Sequence, residues 1–301
     1  MTEPFVRKSV KILSPLRYPG AKRRLGPYLS EVLKLNSLTP KLFVEPFAGS
    51  ASVALQMAHG KDVEKIALGE KDPLVASFWK VVFRDVEWLK SEIRKIPLTV
   101  EKWKYFKYGK FRTQREQALA CLYLNRTSFS GILAPQAGPI GGYKQNSEYD
   151  IGCRFNVETL VRRLDQAAEL KDKILFIENM SWEKVIDKVE SLDYTKKEVF
   201  FYFDPPFFHK ADKLYRYYFE ESDHQELHDR LMKLKYPWFL SYDIADSIIK
   251  KYSKNGAAPR RLGILYSSGR FSTGEELIMT NQKNVPPGTR LWRETSEWKT
   301  K

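Results

Sequence analysis

The sequence predicts an α/β fold, a doubly wound parallel sheet that carries a mainly helical insertion. Three observations predict it: two strand-to-helix units roughly twenty residues apart, a long stretch of helical periodicity without strands, and a return of the strand–helix rhythm. In the first unit, KLFVEPFAGSASVALQMAHG, Leu42 to Val44 are apolar and β-compatible. Gly49 allows close approach of a ligand, and Ser50 stands where a helix N-cap is expected. In the second unit, IALGEKD gives a short buried strand from Ile66 to Leu68 with an acidic tip at Glu70, and PLVASFWKVVF starts a helix at Pro73. From about Val86 to Leu170 helical patterns dominate, as VEWLKSEIRKI, REQALACLYLNRTSF and VETLVRRLDQAAEL. The loop GILAPQAGPIGGYKQNSEYDIG, rich in Gly, Pro, Gln and Asn, lies between them. The rhythm resumes with KILFIEN, EVFFYFD, a helix from about Asp223 to Lys235, WFLSYD, RLGILY and ELIMTN. The expected organisation is a sheet domain from residues 1–85 and 171–301, with a helical insertion at 86–170. The tail after Asn281 is basic and proline-containing, and reads as loosely ordered.

Composition narrows the function classes. A chain of 301 residues, 43% hydrophobic, can bury a sizeable core as one large domain or as one domain with an insertion. Its 51 Lys+Arg against 37 Asp+Glu give a formal charge of +14, and 14% of the residues are aromatic, so a polyanion is the expected partner and nucleic acid comes first. Cys121 and Cys153 form neither a disulfide framework nor a zinc-ligand pattern; both read as reduced thiols, and no metal site is expected. The amino terminus lacks a continuous apolar h-region, and no segment approaches the ~20 apolar residues of a membrane span. The expected location is cytoplasmic.

The chemistry is expected at the carboxyl ends of the parallel strands. Four of those ends are acidic: Glu45-Pro-Phe-Ala-Gly-Ser, Glu70-Lys-Asp, Glu178-Asn and Asp204-Pro-Pro-Phe. The first turn has one glycine and an acid in place of a G-x-G-x-x-G phosphate loop, which suits a ligand without phosphate. Carboxylates accept hydrogen bonds from ribose hydroxyls and favour a cationic sulfonium nearby, and S-adenosylmethionine is such a ligand. DPPF suits the activation of a planar amine. Asp204 supplies a carboxylate acceptor, Pro205 a carbonyl without a competing N–H, and Pro205 and Pro206 fix the turn, while Phe207 can stack on the face of a base. A base in a duplex reaches such a pocket only by flipping out of the stack.

These motifs together resemble the Dam-like, D12 class of DNA adenine N6-methyltransferases, in the family's order and over most of the chain. RYPGAK at Arg17 to Lys22 is similar to the family's amino-terminal cofactor motif. FVEPFAGSASVAL is similar to its cofactor loop, and LGEKDPLVASFW to its ribose-binding strand end. NRTSFSG at Asn125 to Gly131 and CRFN at Cys153 to Asn156 resemble its target-recognition segment, and DPPF, followed by SYD at Ser241 to Asp243, its catalytic motif. The resemblance implies a Rossmann-like, S-adenosylmethionine-dependent methyltransferase sheet, with residues 86–170 as the target-recognition insertion. It implies a catalytic Asp204, Pro205, Pro206 and Phe207. Cofactor contacts are implied at Tyr18, Gly20, Lys22, Glu45, Phe47, Ala48, Gly49, Glu70 and Asp204, and Asn179 and Met180 would border the cofactor's adenine. Glu70 stands where the family usually has aspartate, and Phe207 where it more often has tyrosine.

Double-stranded DNA is the implied partner. KWKYFKYGKFRTQR, from Lys102 to Arg115, has six basic residues, five aromatics and no acid, so Lys102, Lys104, Lys107, Lys110 and Arg112 are expected on phosphates, with Arg126 of NRTSFSG beside them. Gln136, Lys144, Gln145 and Asn146 of the glycine-rich loop are expected at base edges. A second basic-aromatic run, His209 to Tyr218, is expected to hold the flipped strand or to close over the pocket. The implied setting is a prokaryotic or phage-infected cell, nucleoid-associated when bound to DNA and within restriction–modification, with the protein a monomer or weak dimer. Two alternatives remain open in the sequence: the same chemistry on cytosine N4 or RNA, and a catalytically silent DNA-binding protein of the same fold.

Overall fold

A computed structural model describes residues 11, 13–18, 20–209, 211–253, 257–266 and 272–291. In chain order the elements are α1 (Leu25–Leu35), β1 (Leu42–Glu45), α2 (Ser52–His59), β2 (Lys65–Glu70), α3 (Pro73–Arg84), α4 (Val86–Lys95), α5 (Val100–Tyr108), α6 (Gln114–Thr127) and α7 (Val157–Ala168). There follow β3 (Ile174–Asn179), α8 (Trp182–Glu190), β4 (Val199–Phe203), α9 (Ala211–Leu214), α10 (Glu221–Lys233), β5 (Trp238–Asp243), α11 (Asp246–Ser253), β6 (Arg260–Tyr266) and β7 (Ser272–Thr280). The seven strands form one sheet in the order β3-β2-β1-β4-β5-β7-β6. Strands β1 to β5 pair in parallel, whereas β7 runs antiparallel to both β5 and β6. The expectation of an all-parallel sheet is thus corrected at its far edge. RLGILY and ELIMTN make a hairpin, a connection too short for the crossover that a parallel pair requires.

Side-chain alternation sorts the core into two layers. On β4, Phe200 and Tyr202 enter the cluster that also holds α1, α2 and α3, while Phe201 and Phe203 face the opposite cluster with α8, α10 and α11. Strands buried on both faces read as continuous apolar runs, which is why VFFYF carries no alternating polar residue. Helices α4 to α7 join the first cluster through residues such as Leu89, Trp103, Tyr123 and Leu164, so the 86–170 span shares the sheet's core.

Pro73 opens α3 as expected, with Asp72 as its N-cap accepting from Leu74 N at 2.9 Å. Ser50 is not the N-cap of α2. Ala51 holds that place in a left-handed conformation (φ 47°), without a side-chain cap, and the Glu45 carboxylate accepts from Ala54 N at 3.0 Å instead. The tail also differs from expectation over residues 282–291. Asn284 N donates to Asn36 Oδ1 at 3.0 Å, Leu291 N to Gly263 O at 3.0 Å, and Leu291 is buried. Residues 292–301 lie outside the described residues, as does Pro19 of RYPGAK. Among the described residues, no helix is long and apolar enough to cross a membrane.

Candidate active site

Strand order reverses between β1 and β4, and in an open α/β sheet the crevice outside the strand carboxyl ends at such a point is the place for a ligand. A cavity of about 810 Å³, its open mouth included, lies there. The end of β1 contributes Glu45, Phe47, Ala48 and Gly49 to its wall, β2 contributes Glu70, and β4 contributes Asp204, Pro205 and Pro206. Tyr18, Gly20 and Lys22 line it from the amino-terminal segment. The structure therefore brings together the nine residues expected to contact the cofactor, from segments up to 186 residues apart in sequence (Tyr18 to Asp204), but neither Asn179 nor Met180, which were expected to border its adenine.

Asp204 leaves β4 with a side chain 20% exposed and is held from two sides. Lys22 Nζ donates to Oδ1 at 2.5 Å and Ser241 Oγ to the same atom at 3.1 Å. Both bonds fall on Oδ1; among the described residues Oδ2 accepts none. Lys22 is buried and also pairs with the fully buried Glu276 at 3.1 Å. Burial alone would lower the Lys22 pKa, but Asp204 and Glu276 outweigh it and hold the ammonium above its ordinary value. Asp243 completes the turn by accepting from Phe208 N at 2.6 Å and His209 N at 3.1 Å. The two polar ends of SYD thus clamp Asp204 and the backbone beyond DPPF.

Glu70 ties the first two strand ends together. Its Oε2 accepts from Gly49 N at 2.8 Å and its Oε1 from Asp72 N at 2.9 Å. Burial raises its pKa to about 7 against the opposing pull of those backbone N–H groups. Burial likewise holds the Glu45 carboxyl well above the usual range. Asn179 does not line the cavity; its amide donates to Glu70 O and Lys71 O, both at 2.9 Å, and so fixes the end of β2.

Two glycines are demanded by the geometry. Gly49 (φ +45°) sits under Tyr18, where an added Cβ would lie 3.0 Å from the ring. Gly20 (φ +76°) sits under Phe207, where a Cβ would lie 2.9 Å from Cζ. Phe207 itself is not part of the cavity wall. Its ring meets Tyr215 edge-on at 6.0 Å, with Lys22 Nζ 5.5 Å from its centroid.

Several site residues were not assigned from sequence. Glu276 was signalled only by the acidic pair Glu275-Glu276 just before the apolar Leu277-Ile278-Met279 of β7. Trp182, Tyr215, Tyr217, Tyr218 and Phe219 also line the cavity. The segment carrying Tyr215 is tied across the cavity by Arg216, whose Nη1 donates to Asp72 Oδ1 at 2.7 Å. The basic-aromatic run after DPPF was the legible signal for it; Lys210 of that run lies outside the described residues.

The residues expected on DNA separate into two groups. Lys104, Lys110, Arg112, Lys144 and Asn146 are exposed, and Lys102 is half-buried with its Nζ 4.3 Å from the Tyr105 ring centroid. The others are engaged within the protein. Arg126 is only 5% exposed and donates to Pro15 O, because the end of α6 packs beneath the amino-terminal segment; a phosphate contact from its present position is excluded. Gln145 spends its amide inside its own loop, donating to Ile140 O and Gly142 O and accepting from Ile151 N, so it is not free to read a base edge. Lys107 Nζ donates to Ala134 O at 2.6 Å, and burial followed by the nearby Arg216 lowers its pKa to about 8. Gln136 donates to Asp212 O at 2.6 Å, joining the glycine-rich loop to α9.

The sheet order and the acid-lined crevice at its reversal define a Rossmann-like methyltransferase fold. More narrowly, the chain belongs to the D12 class N6 adenine-specific DNA methyltransferase family, whose sequence profile matches residues 18–261. It is also similar to the type II methyltransferase M.MjaIII of Methanocaldococcus jannaschii, at 24% identity over 213 residues, 64% of this chain and 68% of that relative.

Proposed function

We propose that this DNA methyltransferase transfers a methyl group from S-adenosylmethionine to N6 of an adenine flipped out of duplex DNA. The observation that carries the reading is Asp204, fixed through Oδ1 by Lys22 and Ser241, at the wall of a cavity shared with the ends of β1 and β2. The residues fit the cofactor. The cavity gathers the acidic ends of β1, β2 and β4 beside the Tyr18 and Trp182 rings, and glycine at position 49, where a Cβ would lie 3.0 Å from the Tyr18 ring, lets that ring close over the end of β1. When bound, S-adenosylmethionine supplies an electrophilic methyl group on a cationic sulfur. Each Glu70 carboxylate oxygen accepts one backbone N–H and keeps capacity for a ribose hydroxyl, while Glu45, Glu70 and Asp204 give the cavity its acidic character.

Asp204 Oδ2 accepts one N–H of the exocyclic amine and the Pro205 carbonyl the other, which localises the nitrogen lone pair and aims it. Pro205 and Pro206 hold the turn, and Phe207, flanked by Gly20 and Tyr215, offers the stacking face. The concave position of Asp204 requires the base to leave the helix stack. Residues 86–170 then serve as the target-recognition insertion. Lys102, Lys104, Lys110 and Arg112 serve on phosphates, and Lys144 and Asn146 on bases. The reading places the enzyme in the cytoplasm and in restriction–modification, the latter in keeping with its similarity to a type II methyltransferase.

The test is transfer of labelled methyl from S-adenosylmethionine to mixed-sequence duplex DNA, with RNA in parallel, followed by nucleoside analysis. N6-methyldeoxyadenosine is expected. Label confined to RNA, or appearing as N4-methylcytosine, refutes the reading.

A further inference from the structure

A second cationic group lies beside the cavity, away from the Lys102–Arg112 run. Arg17 and Arg23 directly flank Tyr18 and Lys22 of the cavity wall. Arg17 is joined to the end of α6 through its backbone: its N–H donates to Asn125 Oδ1 and its carbonyl accepts from Asn125 Nδ2, both at 2.8 Å. The next residue, Arg126, reaches back to Pro15 O. Arg163 comes from α7 and Arg154 from the loop before it.

These guanidiniums are held together without acid. Among the described residues, none of Arg17, Arg23, Arg126, Arg154 and Arg163 forms an ion pair with a carboxylate. Burial first, then the charge of neighbouring arginines, lowers the pKa of Arg17, Arg23, Arg126 and Arg163; Arg163 acts on each of the other three. Arg126, only 5% exposed, also leaves its Nε without a hydrogen-bond partner among the described residues. Guanidinium charges that act on one another repel, and an anion with several acceptor oxygens relieves the repulsion while satisfying their N–H groups.

We propose that Arg17, Arg23, Arg154 and Arg163 grip the phosphates of duplex DNA that flank the target nucleotide, with Arg126 as the buried charge behind them. The proposal deepens the DNA reading above and rests on it for the partner. It places the grip on the amino-terminal segment and α7, next to Lys22 and Asp204, so the backbone is held where the base must turn out.

Binding of fluorescein-labelled mixed-sequence duplex DNA to the full chain, followed by anisotropy across a salt series, tests it. Each lost phosphate contact lowers the slope of log K against log salt by about 0.9, so Arg154→Ala with Arg163→Ala should lower it by about 1.8. Lys250→Ala, an exposed cation of α11 on the opposite layer, should leave it unchanged. Urea midpoints and S-adenosylmethionine affinity establish that the variants are folded. An unchanged slope in folded Arg154→Ala/Arg163→Ala, or tighter binding of duplex RNA than of duplex DNA, overturns the proposal. Binding is read without turnover, so the two readings fail separately. A reduced slope with no methylated adenine supports the grip and refutes the reaction, and methylation with an unchanged slope does the reverse.

Discussion

Lys22→Met tests whether the buried ammonium between Asp204 and Glu276 is needed for the fold as well as for the site. Methionine is similar in length and keeps the packing, but Glu276, fully buried, loses the Lys22 ammonium at 3.1 Å. Removing one partner of a buried ion pair costs ~3–5 kcal/mol. Proton uptake by the buried acid limits that loss: starting from an ordinary Glu value of about 4.3, it costs ~3.7 kcal/mol at pH 7 and ~1.6 kcal/mol at pH 5.5. The folded variant then carries a proton that its unfolded chain lacks above pH ~4.3, so its stability falls as pH rises. Urea unfolding against the parent protein should show a deficit of about 4 kcal/mol at pH 7 and about 2 kcal/mol at pH 5.5. Lys22→Met/Glu276→Gln should recover most of the pH-7 loss and flatten the dependence. Equal deficits at both pH values, or no recovery in the double variant, would refute the reasoning.

Asp204→Asn should lower turnover by at least ~10³-fold while leaving S-adenosylmethionine affinity within about tenfold, since the lost acceptor faces the reacting amine; single-turnover kinetics and calorimetry separate the two. Glu70, with its pKa near 7, should make the binding site pH-dependent. If only ionised Glu70 accepts the ribose hydroxyls, the apparent Kd for S-adenosylmethionine tightens ~10-fold from pH 6 to pH 8, and Glu70→Gln abolishes that dependence. The same group, with its folded pKa above its unfolded value, makes the unliganded fold lose stability as pH rises from about 4.3 through 7, which thermal unfolding across that window checks. Gly20→Ala places a Cβ 2.9 Å from Phe207 Cζ at φ +76°. It should cost ~1–2 kcal/mol from the backbone alone and displace the Phe207 ring, to be read by urea unfolding and by turnover.

The apolar strands and their acidic ends were legible because a doubly wound sheet writes its centre as continuous hydrophobic runs and its ligand site as the residues that follow them. Glu45, Glu70 and Asp204 needed no long-range knowledge to find. The partners of Asp204 did. Nothing local connects Glu276 to Lys22, or Arg216 to Asp72, because those pairings exist only once the strands are ordered in space. Charge alone also misplaced Arg126 and Gln145. A basic or amide side chain beside a glycine-rich loop looks available, yet the backbone carbonyls of that loop and of the amino-terminal segment needed donors of their own. The antiparallel placement of β7 was hidden for a similar reason, since ELIMT is equally apolar in either direction.

That placement is also what completes the site. Asp204 Oδ1 is met by Lys22 from before α1 and by Ser241 from β5, and Lys22 is balanced in turn by Glu276 from β7. β7 runs between β5 and β6, and its Glu276 sits in register with Asp243, the residue that clamps the turn after DPPF. The buried ammonium therefore has both its carboxylates only when the last strand has inserted antiparallel beside β5. A sheet lacking β7 would leave Lys22 with Asp204 alone, deprive the site of one buried negative charge, and uncover the edge of the strand that carries Ser241 and Asp243. Formation of the reacting geometry is thus coupled to completion of the sheet, although the DPPF turn itself is local.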